Sequence, residues 1–199
     1  MPEAVDLLQA DSTYYSASTA PQLVEMRPVR VLALEGRGAP GGATHLGAIE
    51  TLHAVMRRVQ ALADETLPFR VPPLEGLWWV DDDRPALEVP REEWRWQLLL
   101  RVPDEIASEW VDLARDHEGQ RARGVQLTTL AEGLCVQALH RGPYETEPTT
   151  IAAMDALMER EGLTLNGRHH EIYLTAVTEQ LAPQEIETLL RHPVRPLDR

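Results

Sequence analysis

An internal repetition constrains the fold most, because each half of the chain carries a glutamate within a segment that has the composition of a buried strand. In the first half, Leu34-Glu35-Gly36-Arg37-Gly38 and a helix-patterned stretch precede Pro73-Leu74-Glu75-Gly76-Leu77-Trp78-Trp79. In the second half, Leu139-His140-Arg141-Gly142-Pro143 and another such stretch precede His170-Glu171-Ile172-Tyr173-Leu174. A carboxylate among apolar residues is unfavourable unless protein side chains or a ligand compensate it. The repetition predicts two similar halves with one such carboxylate in each.

Hydrophobic periodicity predicts the elements of the first half. A strand over Arg27 to Leu34 is followed by apolar positions from Leu46 to Ala63 that recur every three or four residues, as in a helix. Leu74 to Val80 and Glu93 to Arg101 predict a hairpin with an acidic loop. A second helix is predicted to open at Pro103. Three residues form its predicted buried face: Ile106, Trp110 and Leu113.

The second half repeats this order of elements. Gly124 to Leu130 and Leu134 to His140 predict strands, and a helix should open near Pro148. Glu171 to Ala176 and Glu187 to Val194 predict a final strand pair. The order strand, helix, strand, strand occurs twice, which indicates an α+β fold with an antiparallel sheet and helices on one side. Two halves related by a pseudo-twofold axis would leave a groove between them, and such grooves favour ligand binding.

The predicted domain organisation is simple. Residues 1–26 should form an N-terminal arm, and residues 27–195 should form one domain. Within that domain the first repeat is predicted over about 27–101, a linking helix over about 103–118, and the second repeat over about 124–195.

The charge of the chain excludes several classes of partner and chemistry. A formal net charge of −13 repels nucleic acid and anionic lipid surfaces, so we expect neither nucleic acid nor a membrane as a partner. The absence of lysine rules out Schiff-base catalysis and a P-loop lysine. The sequence has no run of apolar residues long enough to span a membrane and no secretory signal, which predicts a cytoplasmic location.

Three segments, taken in order, resemble the GyrI-like small-molecule-binding family. They are Pro73 to Trp79, His140 to Pro148 and His170 to Leu174, and the resemblance extends over about residues 27–195. It implies a tandem β-α-β-β fold whose central groove holds bulky compounds, as in the effector domains of multidrug-responsive transcription activators. A stand-alone form is implied, because the 26 residues before the first predicted strand are too few for a helix-turn-helix.

The resemblance implies two functions and leaves room for a third. The first is binding of bulky aromatic or cationic small molecules, such as drugs or toxic compounds, which are thereby sequestered or detoxified. The motif Glu75-Gly76-Leu77-Trp78-Trp79 is similar to that of a stand-alone branch in which some members hydrolyse the cyclopropane ring of DNA-alkylating natural products. Such a cofactor-independent hydrolase is the alternative function. A third class, an interaction protein directed at gyrase, rests on the family name alone.

The candidate catalytic residues are Glu171, Tyr173, Tyr144 and Glu147. The resemblance matches Glu171 to a glutamate that commonly contacts the ligand. Alternation along the strand puts Glu171 and Tyr173 on one face, which would line the groove if the aliphatic residues facing the other way packed on the helices. For ring hydrolysis, a carboxylate would orient water and a tyrosine would donate toward a conjugated carbonyl. Structural alternatives stay open: Glu171 as an acceptor of backbone hydrogen bonds, and Glu147 as a partner of a helix dipole.

The candidate ligand contacts are Glu75, His140 and four tryptophans. An aromatic box with a carboxylate floor would suit planar or cationic ligands. The tryptophans fall within nineteen residues: Trp78, Trp79, Trp94 and Trp96. A core stripe is the alternative for them, and a structural carboxylate is the alternative for Glu75. Because Trp78 and Trp79 point to opposite faces, one should lie in the core and one in the groove.

Three other features are interpreted as structural. Cys135 is the only cysteine and has no basic neighbour, which favours a packed thiol over a nucleophile. Asp81-Asp82-Asp83 is typical of a solvated turn. His140, His169 and His170 do not form a metal site by their spacing, since adjacent residues of a strand point to opposite faces. We expect no metal and no cofactor.

Overall fold

Strands and helices follow one another along the whole described chain. The computed structural model describes residues 3–176 and 181–197. These residues fall into two units, each with its own packed interior. The first unit comprises residues 3–10, 29–72 and 76–130. Residues 11–28, 73–75, 131–176 and 181–197 form the second unit.

The N-terminal segment is more structured than an arm. It forms helix α1 (Leu7–Ala10), helix α2 (Ser12–Tyr15) and strand β1 (Gln22–Met26). Tyr14 and Tyr15 are buried in the second unit. Sequence reasoning missed β1 because only Met26 of its five residues is buried, so the strand shows no apolar alternation.

The first unit is built on a long helix and four strands. Its elements in chain order are β2 (Val29–Arg37), α3 (Ala43–Ala63), β3 (Glu75–Trp79), β4 (Arg95–Arg101), α4 (Ser108–Glu118) and β5 (Gln126–Leu130). The strand order is β3-β4-β2-β5, with β2 antiparallel to both β4 and β5. Helix α3 packs on β2 and β4, and α4 packs on α3. Glu75 itself belongs to the second unit.

The buried face predicted for α4 is wrong in part. Ile106 is buried, but it precedes the helix, which begins at Ser108. The buried residues of α4 are Val111 and Ala114, and Leu113 is 56% exposed. The prediction counted the buried positions of α4 from Ile106, which lies before the helix, and it therefore placed the buried face on the wrong residues.

Strand β2 continues through Gly36 beyond its predicted end at Leu34, because Gly36 pairs with Trp96 of β4. The indole ring of Trp96 occupies the space where a side chain at position 36 would lie. The glycine at this position therefore permits the close approach of a large buried ring.

Replacement of Gly36 by alanine should destabilise the first unit. A Cβ atom there would lie 2.1 Å from Cη2 of Trp96, which is 1% exposed and has little room to move. Overpacking of this kind lowers the free energy of unfolding by about 1–3 kcal/mol. The measurement is urea unfolding followed by tryptophan fluorescence, since all five tryptophans lie in this unit.

Gly47 provides the matched control for this substitution. It lies inside α3, and a Cβ atom there would meet no atom within 4 Å. Because glycine is unfavourable within a helix, Gly47→Ala should raise the free energy of unfolding by about 0.5–1 kcal/mol. Equal stability of Gly36→Ala and the unchanged protein would contradict the packing of Trp96 on Gly36.

The second unit combines the N-terminal strand with the second half of the chain. Its further elements are β6 (Gly133–Arg141), α5 (Glu147–Glu161), β7 (Leu163–Leu165), β8 (His169–Tyr173) and β9 (Glu187–Pro196). The strand order is β1-β6-β9-β8, and β7 also pairs with β9. Helix α5 packs on β6 and β7, with Met154 and Leu157 in the core beside Leu190.

The structure confirms the α+β class. The order strand, helix, strand, strand is found in β2, α3, β3 and β4. The same order recurs in β6, α5, β8 and β9, which is consistent with the predicted repetition. In the second series the short strand β7 intervenes, and the three residues of this strand were too few to be predicted. In the described part of the chain, none of the helices has the length and apolar composition needed to cross a membrane.

Candidate functional site

The face of β8 that carries Glu171 is turned toward α5. Directly opposite residues of antiparallel strands share a face, and Glu171 pairs with Leu190, which pairs in turn with Ala138. Leu190 and Ala138 pack with Met154 of α5. The aliphatic residues of β8 therefore do not face this helix. The sequence predicts that Glu171 and Tyr173 line a groove only if those aliphatic residues pack on the helices, and this packing is not found in the described part of the second unit. Both residues lie on the helix side of the second unit.

The four predicted catalytic residues come together where α5 begins. Tyr144 lies in the turn before α5, and its ring meets that of Tyr173 edge to face, with centroids 6.2 Å apart. Glu147 is the first residue of α5 and interacts electrostatically with Glu171. Tyr144, Glu147, Glu171 and Tyr173 are called the carboxyl–tyrosine cluster below. Tyr144 is 42% exposed, so the cluster opens to solvent.

Within this cluster, Glu147 holds a proton. Its side chain is buried, and burial, repulsion by Glu171 and repulsion by Glu145 raise its pKa to about 9. A helix N-terminus would favour the ionised form, but Oε1 of Glu147 has no hydrogen-bond partner among residues 3–176 and 181–197. A pKa of about 9 favours the neutral carboxylic acid at neutral pH, and the partnership of Glu147 with the helix dipole stays a prediction.

The other members of the cluster complete a set of proton donors and acceptors. Burial, Glu171 and Glu147 raise the pKa of Tyr144, so its hydroxyl keeps its proton. Glu171 Oε1 accepts a hydrogen bond from Nε2 of His169 at 3.1 Å. Its partner is thus a side chain rather than the backbone groups of the structural alternative. Two carboxyl groups and two phenols share this end of α5, and burial and Glu171 raise the pKa of the Glu147 carboxyl group.

The opposite face of β8 and β9 carries a second, buried group of polar side chains. Glu75 Oε2 accepts hydrogen bonds from the Tyr14 hydroxyl at 2.6 Å and from His170 Nε2 at 3.0 Å. Glu132 accepts from His170 Nδ1 at 3.0 Å and from Arg191 Nη1 at 3.1 Å. Tyr14, Glu75, Glu132, His170 and Arg191 are called the buried charge network below. All five belong to the second unit.

Two cations and two carboxylates compensate one another in this network. Burial opposes the charge of His170, but Glu132 and Glu75 outweigh it and raise the pKa of His170 to about 9. Burial also opposes ionisation of Glu132, but His170 and Arg191 hold its pKa at about 2. The Arg191 guanidinium lies 4.5 Å from the ring centroid of Tyr14. The compensation that the sequence required for Glu75 thus comes from protein side chains.

The four predicted tryptophan contacts lie in the first unit, where three of them cluster around α3. Trp78 and Trp96 contact His45 of α3, with ring centroids 5.4 and 5.3 Å from it. The ring of Trp94 meets that of Trp78 edge to face, with ring centroids 6.2 Å apart. Trp78 is 7% exposed and is the core member of its pair, whereas Trp79 is half-buried. The ligand contacts of these residues stay predictions.

The imidazole ring of His140 hydrogen-bonds to side chains at the start of α5. Its Nδ1 lies 2.8 Å from the Thr150 hydroxyl, and its Nε2 lies 3.1 Å from the Thr146 hydroxyl. A surface depression of about 330 Å³ adjoins His140, and neither Glu147 nor Glu171 lines it. Since both ring nitrogens are engaged, His140 has a structural role here, and its contact with a ligand stays a prediction.

The remaining candidates behave as packed or solvated groups. Burial, followed by Glu132, raises the pKa of the Cys135 thiol to about 12, which removes its nucleophilic character at neutral pH. Asp82 pairs with Arg84 in an exposed turn. Within the residues that the structure describes, no three or more His, Cys, Asp or Glu side chains are arranged to hold a metal ion.

Sequence reasoning missed Glu132, Arg191 and Tyr14 of the buried charge network. Arg191 hydrogen-bonds to the carbonyl oxygen of Tyr14, 177 positions away, and Glu132 lies 59 positions from Arg191. A signal was present in β9, where Arg191 follows two leucines in a strand that reads as buried. A charged residue within an apolar strand indicates a buried partner of opposite charge.

Comparisons with known proteins give a consistent result. The family model of the GyrI-like small molecule binding domain matches residues 19–195. An uncharacterized conserved protein from Listeria innocua is 30% identical, with a TM-score of 0.87 over 96% of this chain and 100% of that chain. Another Listeria innocua protein, described as a hydrolase, is 29% identical, with a TM-score of 0.86 over 97% of this chain and 100% of that chain.

A more distant structure shares the fold. The C-terminal domain of EcmrR is 13% identical, with a TM-score of 0.57 over 89% of this chain and 98% of that domain. No curated protein matches the sequence.

Proposed function

Because the chain belongs to the GyrI-like small molecule binding domain family, we propose that it binds a bulky aromatic compound at the carboxyl–tyrosine cluster and hydrolyses a strained ring in that compound. One feature carries this proposal: Glu147 and Glu171 lie in the same solvent-accessible cluster, where burial and Glu171 raise the pKa of Glu147. Paired carboxyl groups in different protonation states can act as general acid and general base.

The protonation of Glu147 favours hydrolysis over capture of cations. A site that only attracts cations gains most when both of its carboxyl groups are ionised. Here burial and Glu171 keep Glu147 neutral at physiological pH, which removes one negative charge from the cluster. A neutral carboxylic acid can donate a proton to a reacting oxygen, as a general acid does.

The reaction is the addition of one water molecule to a cyclopropane conjugated to a dienone carbonyl. Glu171 accepts a proton from the attacking water while the water oxygen forms a bond to the strained methylene carbon. The carbon–carbon bond of the ring breaks, and its electron pair moves through the conjugated system to the carbonyl oxygen. Glu147 donates a proton to that oxygen, assisted by the neighbouring Tyr144 hydroxyl, which yields a phenol and a primary alcohol. No oxidant, metal or cofactor enters the balance.

Three further points support the proposal. The Listeria innocua protein described as a hydrolase matches this chain over its full length. The tyrosine rings of the cluster, in edge-to-face contact, offer aromatic surface for a planar substrate. The motif from Glu75 to Trp79, similar to that of cyclopropane-hydrolysing proteins, gives the substrate class.

Reversible capture of an aromatic cation is the second candidate function. It is favoured by the position of Glu171, whose carboxylate lies on the same face of β8 as Tyr173, near Tyr144. A cation stacked on these rings and close to the carboxylate would gain cation–π and Coulomb attraction. In this case the protein sequesters the compound and does not change it.

Incubation with a benzannulated cyclohexadienone that carries a spiro-fused cyclopropane tests both functions. If the protein is a hydrolase, each protein chain should form many molecules of a product that is heavier than the probe by one water. In water enriched in oxygen-18, this product should carry one oxygen-18 atom. Covalent capture would instead add the mass of the compound once to each protein chain. The compound incubated without protein is the control for spontaneous ring opening. Absence of product above this control would overturn the hydrolytic proposal.

The pH dependence separates hydrolysis from cation capture. Hydrolysis needs the proton of Glu147 and should decline as pH rises through about 9. Binding of a permanent aromatic cation favours ionised Glu147, so its affinity should increase over the same range and each binding event should release protons. Titration with tetraphenylphosphonium at several pH values measures the second behaviour.

A further inference from the structure

A line of three side chains extends from Glu171 into the interior of the second unit. His169 Nε2 lies 3.1 Å from Glu171 Oε1, and His169 Nδ1 lies 2.7 Å from His192 Nε2. The two imidazole rings meet nearly edge to face, at 72° with centroids 4.9 Å apart. The Glu171 and His169 side chains are 14% and 21% exposed, and His192 at the end of the line is buried.

The hydrogen bonds assign the tautomers of both histidines. A carboxylate can only accept, so the proton of His169 lies on Nε2 and its Nδ1 is an acceptor. His192 must then donate from Nε2, which leaves its Nδ1 as a bare nitrogen. The opposite arrangement would place a proton on Nδ1 of His192, which is buried and has no partner within the described residues. Orphaned buried N–H groups are rare.

His192 is suited to remain neutral in this line. Burial, together with His169, lowers the pKa of His192 to about 3, so it carries no charge at physiological pH. A neutral His192 has a single N–H, and that N–H serves His169. The line therefore ends in a hydrogen-bond donor that carries no charge.

The backbone around the two histidines keeps them in register. Asn166 N donates to the carbonyl oxygen of Pro193 at 2.8 Å, which ties the turn before β8 to the residue after His192. A Cβ atom at Gly167 would lie 2.8 Å from the ring of Pro193, so this turn packs directly on β9. The relative position of His169 and His192 is thus set by packing on both sides of the turn.

We infer that His192 and His169 form a hydrogen-bonded line of fixed tautomers that orients the Glu171 carboxylate, engaging Oε1 and presenting Oε2 to the ligand. His169 and His192 are positioning residues, because they act through Glu171. The inference rests on the proposed function only for its effect on turnover, since the tautomers are properties of the protein without ligand. A correctly oriented carboxylate matters because misplacement by about 1 Å can slow a reaction about 10²-fold.

Nitrogen-15 NMR of the imidazole rings tests the line directly. At neutral pH, His169 and His192 should both carry their proton on Nε2, with Nδ1 in the shift range of an unprotonated nitrogen. His169→Gln and His192→Phe assign the two sets of signals, and exposed His117, whose Nδ1 lies 3.4 Å from Glu118 Oε1, provides a surface reference. A proton on Nδ1 of His169 would overturn the inference whether or not the protein is an enzyme.

Kinetics with the cyclopropane probe measure the effect on turnover. His169→Phe should lower kcat about 10²-fold with KM nearly unchanged. His169→Gln should recover most of this loss, because its side-chain amide can donate to Glu171 Oε1. His117→Phe should behave as the unchanged protein. Full kcat in folded His169→Phe contradicts the positioning role, whereas an inactive unchanged protein with the expected tautomers contradicts only the proposed function.

Discussion

Glu171→Gln should lower kcat/KM for the cyclopropane probe by about 10²–10⁴-fold, the range typical for loss of a general base. Glutamine has the same size and can still accept the hydrogen bond from His169 through its oxygen. It cannot accept a proton from water. The substitution thus removes the proposed chemistry while the line to His192 is kept. The measurement is product formation by mass spectrometry, with initial rates at several probe concentrations.

Glu161→Gln is the matched control, because Glu161 is an exposed glutamate at the other end of α5. It should retain full turnover. An infrared titration gives a second readout: with a neutral residue at 171, one cause of the raised pKa of Glu147 is gone. Burial remains, so the carboxylic-acid band should titrate at lower pH than in the unchanged protein but not at the value of an exposed glutamate. Full turnover by Glu171→Gln would remove Glu171 from the mechanism.

Glu132→Gln should lower the free energy of unfolding of the second unit by about 3–5 kcal/mol. The carboxylate accepts hydrogen bonds from both His170 and Arg191 in a region with almost no solvent access. Its neutralisation leaves buried Arg191 without its carboxylate partner and removes the main cause of the raised pKa of His170. A single uncompensated charge is costly because burial has removed the hydration that would otherwise stabilise it.

The aromatic residues allow this unit to be followed separately. All four tyrosines lie in the second unit, and all five tryptophans lie in the first. Tyrosine absorbance during urea unfolding should therefore shift to lower urea in Glu132→Gln, and the Glu161→Gln protein serves again as the control. An unchanged tyrosine transition would contradict the compensation of charge described for this network.

The same network gives a pH window for stability. The pKa of His170 is raised from 6.5 to about 9, so its contribution is complete below pH 6.5 and is lost as pH rises toward 9. The pKa of Glu132 is lowered from 4.5 to about 2, so its contribution is complete above pH 4.5 and is lost as pH falls toward 2. The tyrosine transition should be most stable between about pH 4.5 and 6.5, and Glu132→Gln should flatten this profile.

Hydrophobic periodicity predicted most of the helices and strands, but it missed the strands whose residues show no such periodicity. The 21 residues of α3 were largely predictable because its apolar positions recur with helical spacing. Strand β1 was not, since its residues are mostly exposed and depend on pairing with β6. The register of β8 decided which face of the second unit carries Glu171, and period-two alternation alone cannot say which face meets a helix.

The residues of the candidate site could be predicted from the sequence, but their protonation and hydrogen bonding could not. Tyr144, Glu147, Glu171 and Tyr173 were named from the sequence and the family resemblance, and the structure places them together. That Glu147 is protonated depends on its burial and on its distance from Glu171, which no spacing in the sequence gives. His192 was missed for the same reason, because its link to His169 joins positions 23 residues apart through strand pairing. Their roles in catalysis stay predictions.

The hydrogen bond from Arg191 to Tyr14 has a consequence for the order in which the protein can be completed during synthesis. These residues are 177 positions apart, so the N-terminal tyrosine emerges from the ribosome long before its guanidinium partner. Until β9 is made, Glu132 lacks one of its two cations and Tyr14 lacks the group on which its ring rests. Closure over so long a separation is entropically unfavourable and slow. We therefore expect the first segment of the second unit to be translated to be among the last to be fixed in place.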